Sequence, residues 1–391
     1  MKKTTKLGVS VLTAAAVLLT PVSLSLGESA SSTVAQAAEV KTVTVTTFAE
    51  LKSALETSPT DVISIGADIT ATSDIVIPGQ HNPTIQGNNH TLDMGKYVIN
   101  AKQAGAVAIE NLTATSTGSY GIYRSDQPSQ LLFTNLTFTG KQVAYLPKGS
   151  VTFYGATNIE TTSTLEIAKV NVLIFGANSN FSAKTTADAF LMAQANPKVY
   201  VNNNATVNVT SAKKVFNMTG ATPFFATEAG SKLTTTSVDV ALYMNGKANF
   251  GANSSTEFNQ DANGTTGLIY ASTGLDVGKD ANFVLNGGAK SVQLIKSAKS
   301  VISFNDIANV ALTSNNAKGN VFYLSSGSFV QFDSPQTLTL GTKTTDAIYT
   351  AKNLRASLAV SGTNLSVQSF ANDNSIVSYD FKSMGSFKLT K

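Results

Sequence analysis

Residues 172–181 read Val172-Leu173-Ile174-Phe175-Gly176-Ala177-Asn178-Ser179-Asn180-Phe181, and this stretch decides the fold. A short run of β-branched and aromatic residues stops at Gly-Ala-Asn-Ser, and a second strand-like segment starts at once. Gly, Asn and Asp tolerate the left-handed backbone that a tight corner needs, so these four residues predict a bend between two strands. Related corners stand at Gly155-Ala156-Thr157-Asn158, Gly251-Ala252-Asn253-Ser254 and Gly278-Lys279-Asp280-Ala281. The bend is therefore one part of a repeat.

Outward from it, apolar residues recur along three threads that keep pace. The first runs from Tyr97 through Tyr123, Tyr145, Leu165, Phe190, Phe216, Leu242, Ile269, Leu294 and Phe322 to Ile348 and Ile376. The second runs from Ile85 through Phe133, Phe153, Phe175, Tyr200, Phe225, Phe250 and Phe304 to Phe332 and Val360. The third runs from Leu92 through Leu136, Phe181, Val207, Phe258, Phe283 and Val310 to Leu338 and Leu365. A period of about 25 residues carrying three short strands predicts an all-β fold, a right-handed single-stranded parallel β-helix in which each strand pairs with its equivalent one coil along. Over residues 57–391 that period predicts about thirteen coils.

Residues 38–56 precede the repeat as a short strand and a helix. Thr47 and Glu50 have capping-box spacing, and Phe48, Leu51, Ala54 and Leu55 form an apolar stripe, as expected of a helix that covers the first open coil. Residues 1–37 carry Lys2, Lys3 and Lys6, an apolar run from Leu7 to Leu19, and Ala35-Gln36-Ala37, the pattern of a cleaved secretory signal peptide. Pro21 interrupts the run before it reaches the roughly 20 apolar residues of a membrane span, so none is expected in the mature chain.

The composition, 42% apolar and 13% charged, suits a β protein. A net charge of +4 spread over 391 residues offers no basic stripe for nucleic acid. Without cysteine there is no disulfide framework, thiolate metal site or lipid-anchoring thiol.

Asp61-Val62-Ile63-Ser64-Ile65-Gly66-Ala67-Asp68-Ile69 is followed by Thr84-Ile85-Gln86-Gly87-Asn88-Asn89-His90-Thr91-Leu92-Asp93, with Asn111-Leu112-Thr113 and Asn135-Leu136-Thr137 beyond. Together with the Thr47–Leu51 helix start, this resembles the pectate lyase-like adhesive domain of Gram-positive surface proteins over roughly residues 44 to 140. The resemblance implies a β-helix used for adhesion or envelope display, without lyase activity. No sorting motif with a hydrophobic tail is read at the carboxyl end, and a chain without Trp has no WxL module. The expected location is secreted, extracellular or non-covalently associated with the cell wall.

A polysaccharide lyase needs acidic residues around calcium beside a basic residue that removes a proton, and the chain has two arginines, Arg124 and Arg355. Arg124 and Asp126, in Tyr123-Arg124-Ser125-Asp126, are candidate ligand contacts, set against the reading of a surface ion pair. Asp276 and Asp280 read as corner residues, as does His90, and Asn259-Gln260-Asp261-Ala262-Asn263-Gly264 as a loop. His81 and His90 are too few for a three-histidine zinc site, and no serine has the setting of a hydrolase triad. Tyr243, Tyr270, Tyr323 and Tyr349 read as an inward or flanking aromatic stack, with a sugar-stacking platform as the alternative. No catalytic residue, cofactor or metal is expected. The function expected is an adhesin-like protein that presents a rigid surface to a host or bacterial glycan or protein, the alternative being a carbohydrate-active β-helix enzyme with an atypical site. The last coil, with Lys382, Lys388 and Lys391 near it, is expected to be charged at its edge or to serve as a docking point.

Overall fold

The computed structural model describes residues 40–57, 60–79, 81–298, 300–306, 308–316, 319–342, 349–361, 364–369, 377–380 and 384–390. It is a nearly all-β solenoid of about 12 turns with one short helix near its start. Strands stack in register one coil apart, so that Phe190 pairs with Phe216, Phe216 with Leu242 and Leu242 with Ile269, all in parallel. The second side repeats the relation through Lys247–Phe250, Gly274–Val277 and Val301–Phe304. The third repeats it through Lys232–Ser237, Ser255–Gln260 and Asn282–Gly287.

Alternation decides which residues enter the core. A strand turns successive side chains to opposite faces, and in Leu242–Met244 the outer two residues are buried while Tyr243 is half-buried on the outside. Inside, rings of successive coils lie over one another. Phe133 stacks on Phe153 at 5.6 Å and Phe190 on Phe216 at 5.8 Å, while Phe175 meets Phe181 at 4.8 Å from the neighbouring side. Each coil thus finishes the core of the next.

The corners take the backbone predicted for them. Gly155, Asn178, Asn253 and Asp280 have φ of 61°, 60°, 56° and 53°. Asn111 and Asn135 adopt the same conformation, and Asn135 Nδ2 donates to Asn111 Oδ1 at 2.8 Å. The corner asparagines thereby add side-chain bonds along the axis to those of the sheets.

At the first mouth the helix, Phe48–Thr57, buries Leu51, Ala54 and Leu55. Thr47 Oγ1 accepts from the Glu50 amide at 3.3 Å, while the Glu50 carboxylate accepts from the Thr46 and Thr47 amides at 2.7 and 3.0 Å. Glu56 further accepts from the Val76 amide at 2.8 Å, tying the helix to the first coil.

Two expectations are corrected. The parallel ladder does not run to Lys391: it ends where Val301–Phe304 pairs with Phe329–Phe332, and Phe329–Gly341, Tyr349–Ser361, Asn364–Ser369 and Val377–Asp380 then pair antiparallel. Val360 and Leu365 are therefore paired across two antiparallel strands rather than lying on two coil threads, and Ile348 and Ile376 lie outside the described residues. Nor does the last coil stand open on its third side. Strand Ser386–Thr390 pairs antiparallel with Asn309–Ser314 on one edge and with Thr337–Gly341 on the other. An unpaired strand edge carries unsatisfied amides and carbonyls, and the chain covers this one itself. Phe387 and Leu389 on that strand are buried and Lys388 is exposed, while Lys382 and Lys391 lie outside the described residues.

Candidate functional site

The outward residues of the first side form a column. Asn100 pairs with Arg124, and further along Tyr145, Lys169, Leu191, Asn217, Tyr243, Tyr270, Lys296 and Tyr323 follow in register, one per coil. Aromatic rings and cations concentrate at its two ends, with Leu191 and Asn217 between them.

At the near end, Arg124 donates from Nη2 to Asp126 Oδ2 at 2.8 Å, the surface ion pair that the sequence suggested. The structure adds what the spacing did not show. The guanidinium carbon lies 4.1 Å from the ring centre of Tyr120 and 5.8 Å from that of Tyr145, and the two rings meet edge to face at 5.2 Å. Lys169 approaches Tyr145 from the next coil at 5.4 Å. Burial works against the charged guanidinium, but the hydrogen bond and charge of Asp126, with the fields of Tyr120 and Tyr145, offset it and hold Arg124 above its ordinary value. Tyr123, the neighbour of Arg124, points inward, where burial pushes its phenol up to about 12.

At the far end, Tyr243 and Tyr270 stack with centroids 4.9 Å apart and planes 12° from parallel. Lys296 lies 5.5 Å from the Tyr270 ring and 5.6 Å from that of Tyr323, which is 57% exposed. Lys214 lies 5.8 Å from the Tyr243 ring and 3.5 Å from Asp239, which also accepts from Thr266 Oγ1 at 2.7 Å. Lys214, Asp239, Tyr243, Thr266, Tyr270 and Lys296, with Gly267 and Gln293, line a groove of about 360 Å³ open to solvent. Of the tyrosines read from the sequence as a stack, Tyr243 and Tyr270 stack on each other and flank the core, while Tyr323 lies one coil further, beyond Lys296. Tyr349 lies on the strand Tyr349–Ser361, outside the parallel column.

The residues weighed for chemistry take structural places. Asp276 accepts from Lys247 at 3.2 Å and from Asn305, and Asp280 occupies a left-handed corner. Asp261 closes a turn by accepting from the Asn263 amide at 2.9 Å. His90 sits in the corner after Asn88 and Asn89, 3.4 Å from Asp68, and His81 Nε2 lies 2.7 Å from the Thr60 carbonyl oxygen. Among the described residues no three His, Asp or Glu side chains are grouped to hold a metal ion. Arg355 stands on the antiparallel strand Tyr349–Ser361, beyond the parallel coils that carry Arg124.

Residues 42–145 match the model of the family described as "Putative pectate lyase-like adhesive domain". Among solved structures, L. reuteri 53608 SRRP is 17% identical, covering 74% of this chain and 96% of its own, with a TM-score of 0.41. SRRP 100-23 is 16% identical, covering 75% and 99%, with a TM-score of 0.44. No curated protein matches the chain. The family match falls on the first coils, where the resemblance was read from the residues, and ends at Tyr145 of the near cluster: it is residues 42–145 of this chain that are similar to the pectate lyase-like adhesive domain.

Proposed function

We propose that this chain is a secreted, surface-displayed adhesin-like solenoid that binds a glycan chain along the outward column from Arg124 to Tyr323, without catalysis. One observation carries the reading: Tyr243 and Tyr270 form a half-exposed stacked platform at the mouth of an open groove, with Lys214, Lys296 and Asp239 at its margins. Aromatic faces supply apolar area to the C–H faces of sugar rings, and a few fixed polar groups set orientation. The tyrosines are held by strand register, so little conformational freedom is lost when a ligand settles on them. Arg124 and Asp126, beside Tyr120 and Tyr145, form a second contact point on the same face. The adhesive family of the first coils supports the same role.

The reading is tested on a glycan array with the wild-type chain and Tyr243→Ala/Tyr270→Ala. Retention of the wild type and loss in the variant, with unchanged circular dichroism, is the expected result. Equal retention of both refutes the assigned platform. Incubation with polygalacturonate and alginate is expected to release no unsaturated product, and its appearance would establish the enzymatic alternative.

A further inference from the structure

We infer that Tyr243 and Tyr270 are a site of oxidative modification, where a peroxide-driven peroxidase joins the two rings into a dityrosine that bridges adjacent coils. The inference stands apart from glycan binding. It rests on two tyrosines held in register one coil apart, with centroids 4.9 Å apart and planes 12° from parallel. Neighbouring strands lie about 4.7 to 4.9 Å apart, so this separation is the strand spacing itself and the backbone maintains it without an ordered loop. Both rings are half-exposed at the open groove, which gives a small oxidant access and leaves room on the solvent side for the rings to tilt.

The step balances as a two-electron oxidation. Each phenol gives up one electron and one proton to form a phenoxyl radical, and the two radicals join through the carbons ortho to their oxygens. The hydrogen on each joined carbon then moves to the oxygen of its own ring, which restores two phenols. The two electrons and two protons reduce one hydrogen peroxide to two waters. Holding two reactants together replaces an encounter with an internal step, which favours coupling within the chain over coupling between chains.

Among the described residues the other close tyrosine pair is arranged differently. Tyr120 and Tyr145 meet at 78°, so the edge of one ring points at the face of the other, and Arg124 lies over both. Tyr323 is separated from Tyr270 by the rung of Lys296. The stacked pair is therefore the place where coupling concentrates.

The test treats the full chain with horseradish peroxidase and limiting hydrogen peroxide, reads dityrosine fluorescence, and maps the product by peptide mass spectrometry. The expected product is an intrachain peptide pair joining Tyr243 to Tyr270 and lighter by two hydrogens, lost in both Tyr243→Phe and Tyr270→Phe. The phenylalanine variants keep the ring and its packing, and unchanged thermal melting verifies that they fold. Coupling mapped mainly to other tyrosines, coupling only between chains, or an undiminished yield in either variant overturns the inference.

Discussion

Phe387 on the last described strand lies against Phe304 of the solenoid wall, ring centroids 5.7 Å apart, and meets Phe322 edge to face at 5.3 Å. The end of the chain thus returns to fill the core of the final coil, as the helix at Phe48–Thr57 covers the first. Removing a buried phenylalanine costs roughly 3 to 5 kcal/mol, so Phe387→Ala is expected to lower the urea midpoint substantially. Truncation before Ser386 is expected to go further. It bares the edge of Asn309–Ser314, and concentration-dependent light scattering should report the association that follows.

The same cost applies inside the coils, which permits a comparison. Phe175 is fully buried and touches Phe153, Phe181 and Phe190, whereas Phe224 is 38% exposed. Phe175→Ala is expected to cost roughly 3 to 5 kcal/mol in urea unfolding, against less than about 1 for Phe224→Ala. Equal effects would contradict the assignment of inward and outward faces.

That assignment was only partly legible in the sequence. The period, corners and capping helix could be read because each rests on residue types that few other backbones use. Tyr145 and Tyr200 stand on the apolar threads at close to the right spacing, yet the buried positions are their neighbours, Ala144 and Leu146, Val199 and Val201. A displacement of one residue reverses the face, and counting by coil does not resolve one residue. Leu165 was drawn into the first thread in the same way, while the inward position is Ala168, paired with Ala144 and Phe190. A small residue fills that layer, so hydrophobic size misled. The missed column of tyrosines and cations follows from the same slip, since Tyr145 belongs to it.

The end of the parallel ladder was not legible either. Leu338, Val360 and Leu365 continue the apolar spacing, but alternation is common to parallel and antiparallel strands, and only pairing direction separates them.

At the corners, Asn135 has φ of 56° and bonds to Asn111 through its side chain. Asn135 Oδ1 also accepts from the Ala156 amide at 2.8 Å; left-handed backbone costs an ordinary residue about 1 to 2 kcal/mol, and each of the two lost hydrogen bonds about 1 more. Asn135→Ala is expected to combine the backbone and hydrogen-bond losses, while Asn135→Gly keeps the backbone at ease and loses mainly the two bonds. Chemical unfolding of the two variants side by side checks the order.

Glu50 links the first mouth to pH. Amide hydrogen bonds from Thr46 and Thr47, followed by those from their side chains, hold its carboxyl below the ordinary value of 4.5. A carboxyl lowered by folding contributes stability that is fully present above its unfolded value and is lost as pH falls through the folded one. Amide exchange over residues 46–51 is therefore expected to accelerate in acid, below the ordinary carboxyl range. Glu50→Gln should flatten that pH dependence, and Thr47→Ala should weaken the helix at every pH by about 0.5 to 2 kcal/mol.

The central claim is that the outward column of tyrosines and cations is the binding face. A crystal structure of the chain with the glycan that the array retains most strongly tests it directly. The account predicts a sugar ring lying flat on Tyr243 or Tyr270, with Lys214 or Lys296 bonded at its rim. An ordered glycan on either of the other two sides of the solenoid, with this column bare, would contradict it.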